Sequence, residues 1–292
     1  MHFHRRRFRC RALPRLFFFL VLAAPGLADA QAFTRAQVEQ RSQQVSELFN
    51  WYYASAFGTG VYKIGEETVS VIRLPMAYTI QQATDTEWGL RLTFPVSAAF
   101  AEFDLTDFDL GHASAVGLSV LPGVEAEFPL RPGWVVKSFA NVGTGWEFEH
   151  DTSAIIWSLG ASTLNRWEPA RKWPLGFGAK LTYAGYDAAG TTSTLAAVSL
   201  GLDLGTPMEI EVAGRRTFLG AQIVGTKYFN QLEFLFPGSP TDDVSHEVEI
   251  ALTLRVHKPE EILGVSFDRI GLGYRQGSDG LKGVRLVASF PF

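Results

Sequence analysis

The sequence predicts an all-β protein: a transmembrane antiparallel up-and-down β-barrel of about twelve strands, preceded by a short N-terminal helix. Three observations predict it. Apolar and polar residues alternate along most of the chain after residue 58. The alternating runs are about 9 to 12 residues long, the span of a tilted strand across a bilayer, whereas ordinary strands average about five or six. The third is the end of the chain. Val284, Leu286, Ala288, Phe290 and Phe292 fall on one face of a last strand, opposite Gly283, Arg285, Val287, Ser289 and Pro291. Strand side chains alternate between two faces, so this pattern predicts a strand that faces lipid up to residue 292.

Residues 1–30 have the layout of a cleaved secretory signal peptide. Arg5, Arg6, Arg7, Arg9, Arg11 and Arg15 form a basic region, Leu16 to Ala24 an apolar run, and Ala28-Asp29-Ala30 a small-residue cleavage site. The single cysteine, Cys10, leaves with it, so the exported chain enters an oxidising compartment without disulfides. Removing six arginines and Asp29 takes the formal charge from -4 to about -9, which argues against nucleic acid as a partner. No later segment approaches the roughly 18 apolar residues of a spanning helix. An exported chain without such a helix can still cross a membrane as a closed barrel.

Residues 31–50 read as a helical segment. Thr34-Arg35-Ala36-Gln37 fits a capping box, and the polar, Gln-rich stretch to Phe49 has a thin apolar stripe of Val38, Val45, Leu48 and Phe49. Two places suit it, the barrel lumen or the solvent beneath the barrel. Residues 51–292 read as the barrel. Strands are expected at 58–66, 68–80, 88–103, 113–129, 134–149, 152–163, 173–187, 193–205, 210–229, 246–257, 264–276 and 281–292. An even count places both ends of the chain on one side. The segment 165–172 then becomes a long turn on that side, and 230–245 the longest loop on the other.

The second face of these strands is built of Gly, Ser, Thr and charges, as a lumen would be. Its charged members are Arg73, Arg91, Lys137, Glu147, Lys180, Asp203, Glu249, Arg255, Arg269 and Arg285. Both signs occur, which predicts ion pairs across the interior rather than a strongly selective open pore. Trp88, Trp134, Trp146, Trp157, Trp173, Tyr183 and Tyr274 are expected near strand ends, where aromatic girdles meet headgroups.

Chemistry is not written clearly anywhere. His112, His150, His246 and His257 lie next to expected turns, and His112 with Ser114 is the one pair to share a strand face as a nucleophile and base would. Asp104, Asp107 and Asp109 lack the glycine turn and distal Glu of a calcium loop. Gly58-Thr59-Gly60 and Gly271-Leu272-Gly273 lead into no helix, so neither is a phosphate cradle. No enzyme activity, cofactor or metal is expected.

A Gln-rich helix thus leads into about twelve strands, beginning Ala56-Phe57-Gly58-Thr59-Gly60-Val61-Tyr62 and Val69 to Tyr78, and the chain ends in Phe292. Together these features resemble the solitary outer-membrane autotransporter β-barrel family. The resemblance covers most of the chain after the signal. It implies a twelve-stranded barrel with a helix in its pore, a bacterial outer-membrane location, outer-membrane lipid as solvent, and the barrel-assembly machinery as partner during insertion, with Val284, Leu286, Ala288, Phe290 and Phe292 as the C-terminal insertion signal. The family carries a passenger before that helix. Only about twenty residues separate Gln31 from the first strand here, so none is expected. The reading is a non-enzymatic barrel acting as a small or plugged pore or as a structural part of the envelope. Its rivals are an outer-membrane barrel hydrolase acting on lipid and a soluble periplasmic β-sandwich that binds a ligand.

Overall fold

The computed structural model describes residues 54, 57–64, 67–101, 114–148, 151–167, 173–188, 190–212, 215–234, 242–262 and 265–292. The signal region, the expected helix, and His112 and His150 lie outside the described residues. Thirteen strand segments form one antiparallel sheet: β1 (Gly60–Ile64), β2 (Glu67–Gln81), β3 (Gly89–Ala101), β4 (Ser114–Val120), β5 (Gly123–Arg131), β6 (Trp134–Glu147), β7 (Thr152–Trp167), β8 (Leu175–Ala188), β9 (Thr191–Val212), β10 (Arg215–Phe234), β11 (Asp242–Ile262), β12 (Val265–Gly277) and β13 (Lys282–Val287). Each strand pairs with its neighbour in sequence, β4 and β5 excepted, and β1 pairs with β13, so the sheet closes on itself. Both β4 and β5 lie between β3 and β6 and form one interrupted strand. The wall therefore has twelve staves, the number the sequence predicts.

Prolines mark the places where this wall is interrupted. Proline donates no N–H and is confined to edges and breaks in a sheet. Leu121-Pro122 separates β4 from β5; there the Leu121 N–H reaches Pro95 O at 3.0 Å and Val142 N–H reaches Pro122 O at 2.9 Å. Pro95 on β3 thus faces the break. Its register partner Pro75 on β2 faces the other way. The N–H and C=O of Arg73, two residues earlier, both bond the Thr59 hydroxyl at the end of β1, so Pro75 presents its missing donor just beyond that end.

The two faces separate as the alternation predicts. Along one rung, Phe177, Leu202, Ile223, Ile250, Tyr274 and Val284 are successive register partners, and all six are exposed. One residue over, Gly178, Gly201, Val224, Glu249, Arg275 and Gly283 form the matching inner rung. An apolar band of this extent is the reverse of a soluble sandwich, which hides one face in a core and wets the other.

We call the rim bearing the Pro132–Gly133 turn lower, and that bearing the Gly277–Gly280 hairpin upper. Both turns use left-handed residues: Gly133 has φ 77°, Asp279 53° and Gly280 80°. Trp88, Trp134, Trp167 and Trp173 gather at the lower rim, where β3, β6 and β8 begin and β7 ends. Trp167 was expected in a turn; β7 runs past 163 and carries it. Trp157 and Tyr183 lie within strands rather than at ends. Further corrections follow from strand length. The strand expected at 193–205 runs to Val212, and the loop expected at 230–245 shrinks because β10 reaches Phe234 and β11 starts at Asp242.

The last strand departs most from expectation. It ends at Val287. Val284 and Leu286 face outward as predicted, but Phe290 and Phe292 are buried inside, and Ala288 is half-buried. The apolar row stops at Leu286 because a better site for the two rings exists in the lumen.

Candidate functional site

The lumen is the candidate site, and three layers fill it. The upper layer is apolar. Ile156, Tyr186, Leu195, Tyr228, Val244 and Leu281 pack there with Ala54 and Phe57. Ala54 and Phe57 come before β1, which begins only at Gly60, opposite Arg285 in β13. Arg73 holds this entering segment, donating to Ala54 O at 2.8 Å. The Phe57 ring packs on Tyr62 with centroids 4.5 Å apart.

The middle layer is ionic. Glu249, 3% exposed, accepts from Arg285 at 2.8 Å and lies 3.4 Å from Arg275. Arg275 also lies 3.3 Å from Glu247, and its guanidinium sits over the rings of Phe57 and Tyr62 at 5.5 and 5.6 Å. Gln222 donates to Glu249 at 3.4 Å. Cations over aromatic faces are favoured where water is excluded, so Arg275 ties the ionic layer to the apolar one. Lower down, Asp203 accepts from Arg269 at 2.7 Å and lies 3.6 Å from Arg255. Arg269 is also held by Asp268.

On the facing wall Arg91 pairs with Glu125, and Lys137 lies 3.9 Å from Glu127. Thr93, Asn141 and Ser158 continue the polar surface as a hydrogen-bonded chain. Glu147 accepts from the Thr152 hydroxyl at 3.0 Å near the upper rim. Lys180 lies over the Phe139 ring, 5.0 Å from its centroid. Among the described residues no carboxylate lies within ion-pair range of Lys180 or Arg73.

The third layer is the chain end. Phe290 and Phe292 pack on each other, centroids 4.8 Å apart, and on Leu164 and Val224. Gly178 and Gly201 are register partners on β8 and β9. A Cβ on Gly178 would lie 2.2 Å from the Phe292 ring, and one on Gly201 2.4 Å from it. Two side chains are missing where one ring needs the space. Lys137 reaches Phe292 O at 3.5 Å.

Arg91, Lys137, Asp203, Glu249, Arg255, Arg269 and Arg285 thus lie on the inner face in separate ion-pair groups, and Arg73, Glu147 and Lys180 share that face through a backbone carbonyl, a threonine hydroxyl and an aromatic ring. The sequence reading left out Arg275, Glu247 and Gln222. Arg275 shares its face with Arg269 three steps of the alternation away, a signal already present. Among the described residues no group of three or more metal-ligating side chains occurs. Exposed His246 contacts the neighbouring Ser245 hydroxyl at 3.1 Å. That hydroxyl also lies 3.3 Å from Ser278 Oγ in the upper hairpin, an arrangement that fastens the hairpin.

No protein-family model and no curated protein sequence matches the chain. Among solved structures, the beta domain of the Bordetella autotransporter BrkA is similar, at 14% identity and a TM-score of 0.47, over 79% of this chain and 96% of that one. The closed twelve-stave barrel itself rests on the strand registers of this chain.

Proposed function

We propose that the protein is an integral barrel of the bacterial outer membrane, without enzyme activity, whose lumen is closed by its own side chains and which acts as a low-conductance structural element of the envelope. The observation that carries this is the pairing of faces: an apolar exterior on every stave but the short β1, and an interior filled by ion pairs and by residues from both ends of the barrel-forming region. Lipid offers no hydrogen-bond partners, so a spanning sheet has to close, and this one does. Mixed charges within ion-pair distance satisfy each other and leave little field to attract a permeant ion of one sign. The alternating stretch at the chain end, Val284 to Phe292, serves in this reading as the signal the assembly machinery takes up.

The test is migration on SDS gels of the refolded chain, heated and unheated, followed by planar-bilayer recording. The expected result is faster migration before heating and conductance well below that of an open pore. Identical migration before and after boiling would overturn the membrane-barrel reading. A large, steady conductance would overturn the closed lumen while leaving the barrel intact.

A further inference from the structure

The ion pairing of the lumen is incomplete in one half of the wall. Between the rims, the inner face from β2 to β8 carries Arg73, Arg91, Lys137 and Lys180 against Glu125 and Glu127, among the described residues. Arg91 holds Glu125. Lys137 lies 3.9 Å from Glu127 and 3.5 Å from Phe292 O, both longer than the about 2.7–3.2 Å of a good N–H···O bond. Arg73 donates to the Ala54 and Phe57 carbonyls at 2.8 and 3.5 Å, which leaves its charge unanswered. Lys180 has the Phe139 ring and no acid in ion-pair range among the described residues. Cations held away from water without a counter-charge are costly.

Register gathers this spare charge around one hydroxyl. Lys137, Ser162 and Lys180 are successive register partners on β6, β7 and β8, so they stand side by side on one inner rung. Lys180 leans back across β7, because its ammonium lies 5.0 Å from the centroid of the Phe139 ring on β6. The register partner of Phe139 is Gly160, where a Cβ would stand 2.7 Å from that ring. Ser162 is the next inward residue of β7 and lies at this crossing. It is only 8% exposed, yet its hydroxyl has no hydrogen-bond partner among the described residues. Buried hydroxyls are normally bonded. Two ammonium groups thus flank an unused hydroxyl. The charges of Arg73 and Arg285 act on Lys180 from across the lumen, and so does that of Glu125.

We propose that Lys137, Ser162 and Lys180 form a binding site for a small oxyanion of phosphate size, which completes the ion pairing of this wall. Its oxygens accept from both ammonium groups and from the Ser162 hydroxyl, donors of the kind that hold phosphate. A tetrahedral oxyanion presents several acceptors at once, which chloride does not. The anion is a resident counter-ion of the lumen rather than a permeant one. The proposal rests on the closed-lumen reading above, and the experiment separates the two.

The probe is inorganic phosphate, titrated into the chain refolded in detergent. Thermal loss of the fast-migrating gel band is measured in sodium phosphate and in sodium chloride of equal ionic strength, so that screening is matched. Phosphate should raise the melting midpoint above that in chloride, because a ligand of the folded state stabilises it. The apparent phosphate affinity should fall about tenfold in Lys180→Gln and in Ser162→Ala, each of which removes one bond to the anion. Ser162→Ala deletes a hydroxyl that bonds nothing in the protein, so it serves alone if Lys180→Gln fails to refold. Equal midpoints in phosphate and chloride would overturn the site, as would a phosphate response in both variants equal to that of the parent. Either result would leave heat-modifiable migration, and so the barrel, unaffected. A large, steady bilayer conductance with the phosphate response intact would overturn the closed lumen and keep the site.

Discussion

Replacing Glu249 with Ala is expected to destabilise the barrel by about 3–5 kcal/mol, the cost of removing one partner from a buried ion pair. Glu249 is the acid shared by Arg275 and Arg285, and it also accepts from Gln222. Without it Arg275 keeps Glu247 at 3.3 Å. Arg285 retains no acid within ion-pair range among the described residues. Urea unfolding in lipid vesicles measures the loss. Glu249→Gln, which keeps the shape and the contact with Gln222, should fall between the two. The double variant Glu249→Ala/Arg285→Ala should recover part of the loss, because it removes the stranded charge with its partner. A Glu249→Ala protein within about 0.5 kcal/mol of the parent would mean that water enters the lumen freely enough to solvate Arg285, and the closed interior would be wrong.

The second large effect belongs to the outer face. Leu252 and Leu272 are register partners on β11 and β12 and are 63% and 60% exposed. A charge at the middle of a lipid-facing strand costs roughly 2–4 kcal/mol, so Leu252→Arg should lower the urea midpoint in vesicles by a corresponding amount. The neighbouring inward residue provides the contrast. Thr253 is buried, and Thr253→Ser, which keeps the hydroxyl, should change stability little. If Leu252→Arg were silent, the exposed band would not be in contact with lipid.

How much of this was legible follows from where the information sits in the chain. Alternation is local, so the staves and their inward charges could be read off: Asp203, Glu249 and Arg255 are each polar among apolar neighbours. Strand ends were harder. Thr206-Pro207 reads as a turn, yet β9 continues through it to Val212, with a register irregularity opposite Phe218–Gly220 taking up the strain. Pairing between charges was not legible, because Asp203 and Arg269 meet across the lumen from β9 and β12. The chain end was misread for the same reason. Nothing near Phe292 in sequence announces the paired glycines on β8 and β9 that receive it, so the local alternation prevailed in the reading and the distant notch prevailed in the structure.

The closure itself has a consequence for assembly. Eleven of the twelve joints between staves link neighbours along the chain and can zip as short-range hairpins. The twelfth joins Gly60–Lys63 to Lys282–Arg285, from opposite ends of the barrel sequence. Loop closure of that length is slow, and until it happens the curled sheet presents two raw edges. Aggregation, rather than instability of the finished barrel, is then the hazard during biogenesis. A helper that shields those edges until the last stave arrives would matter more to yield than any single contact inside the lumen.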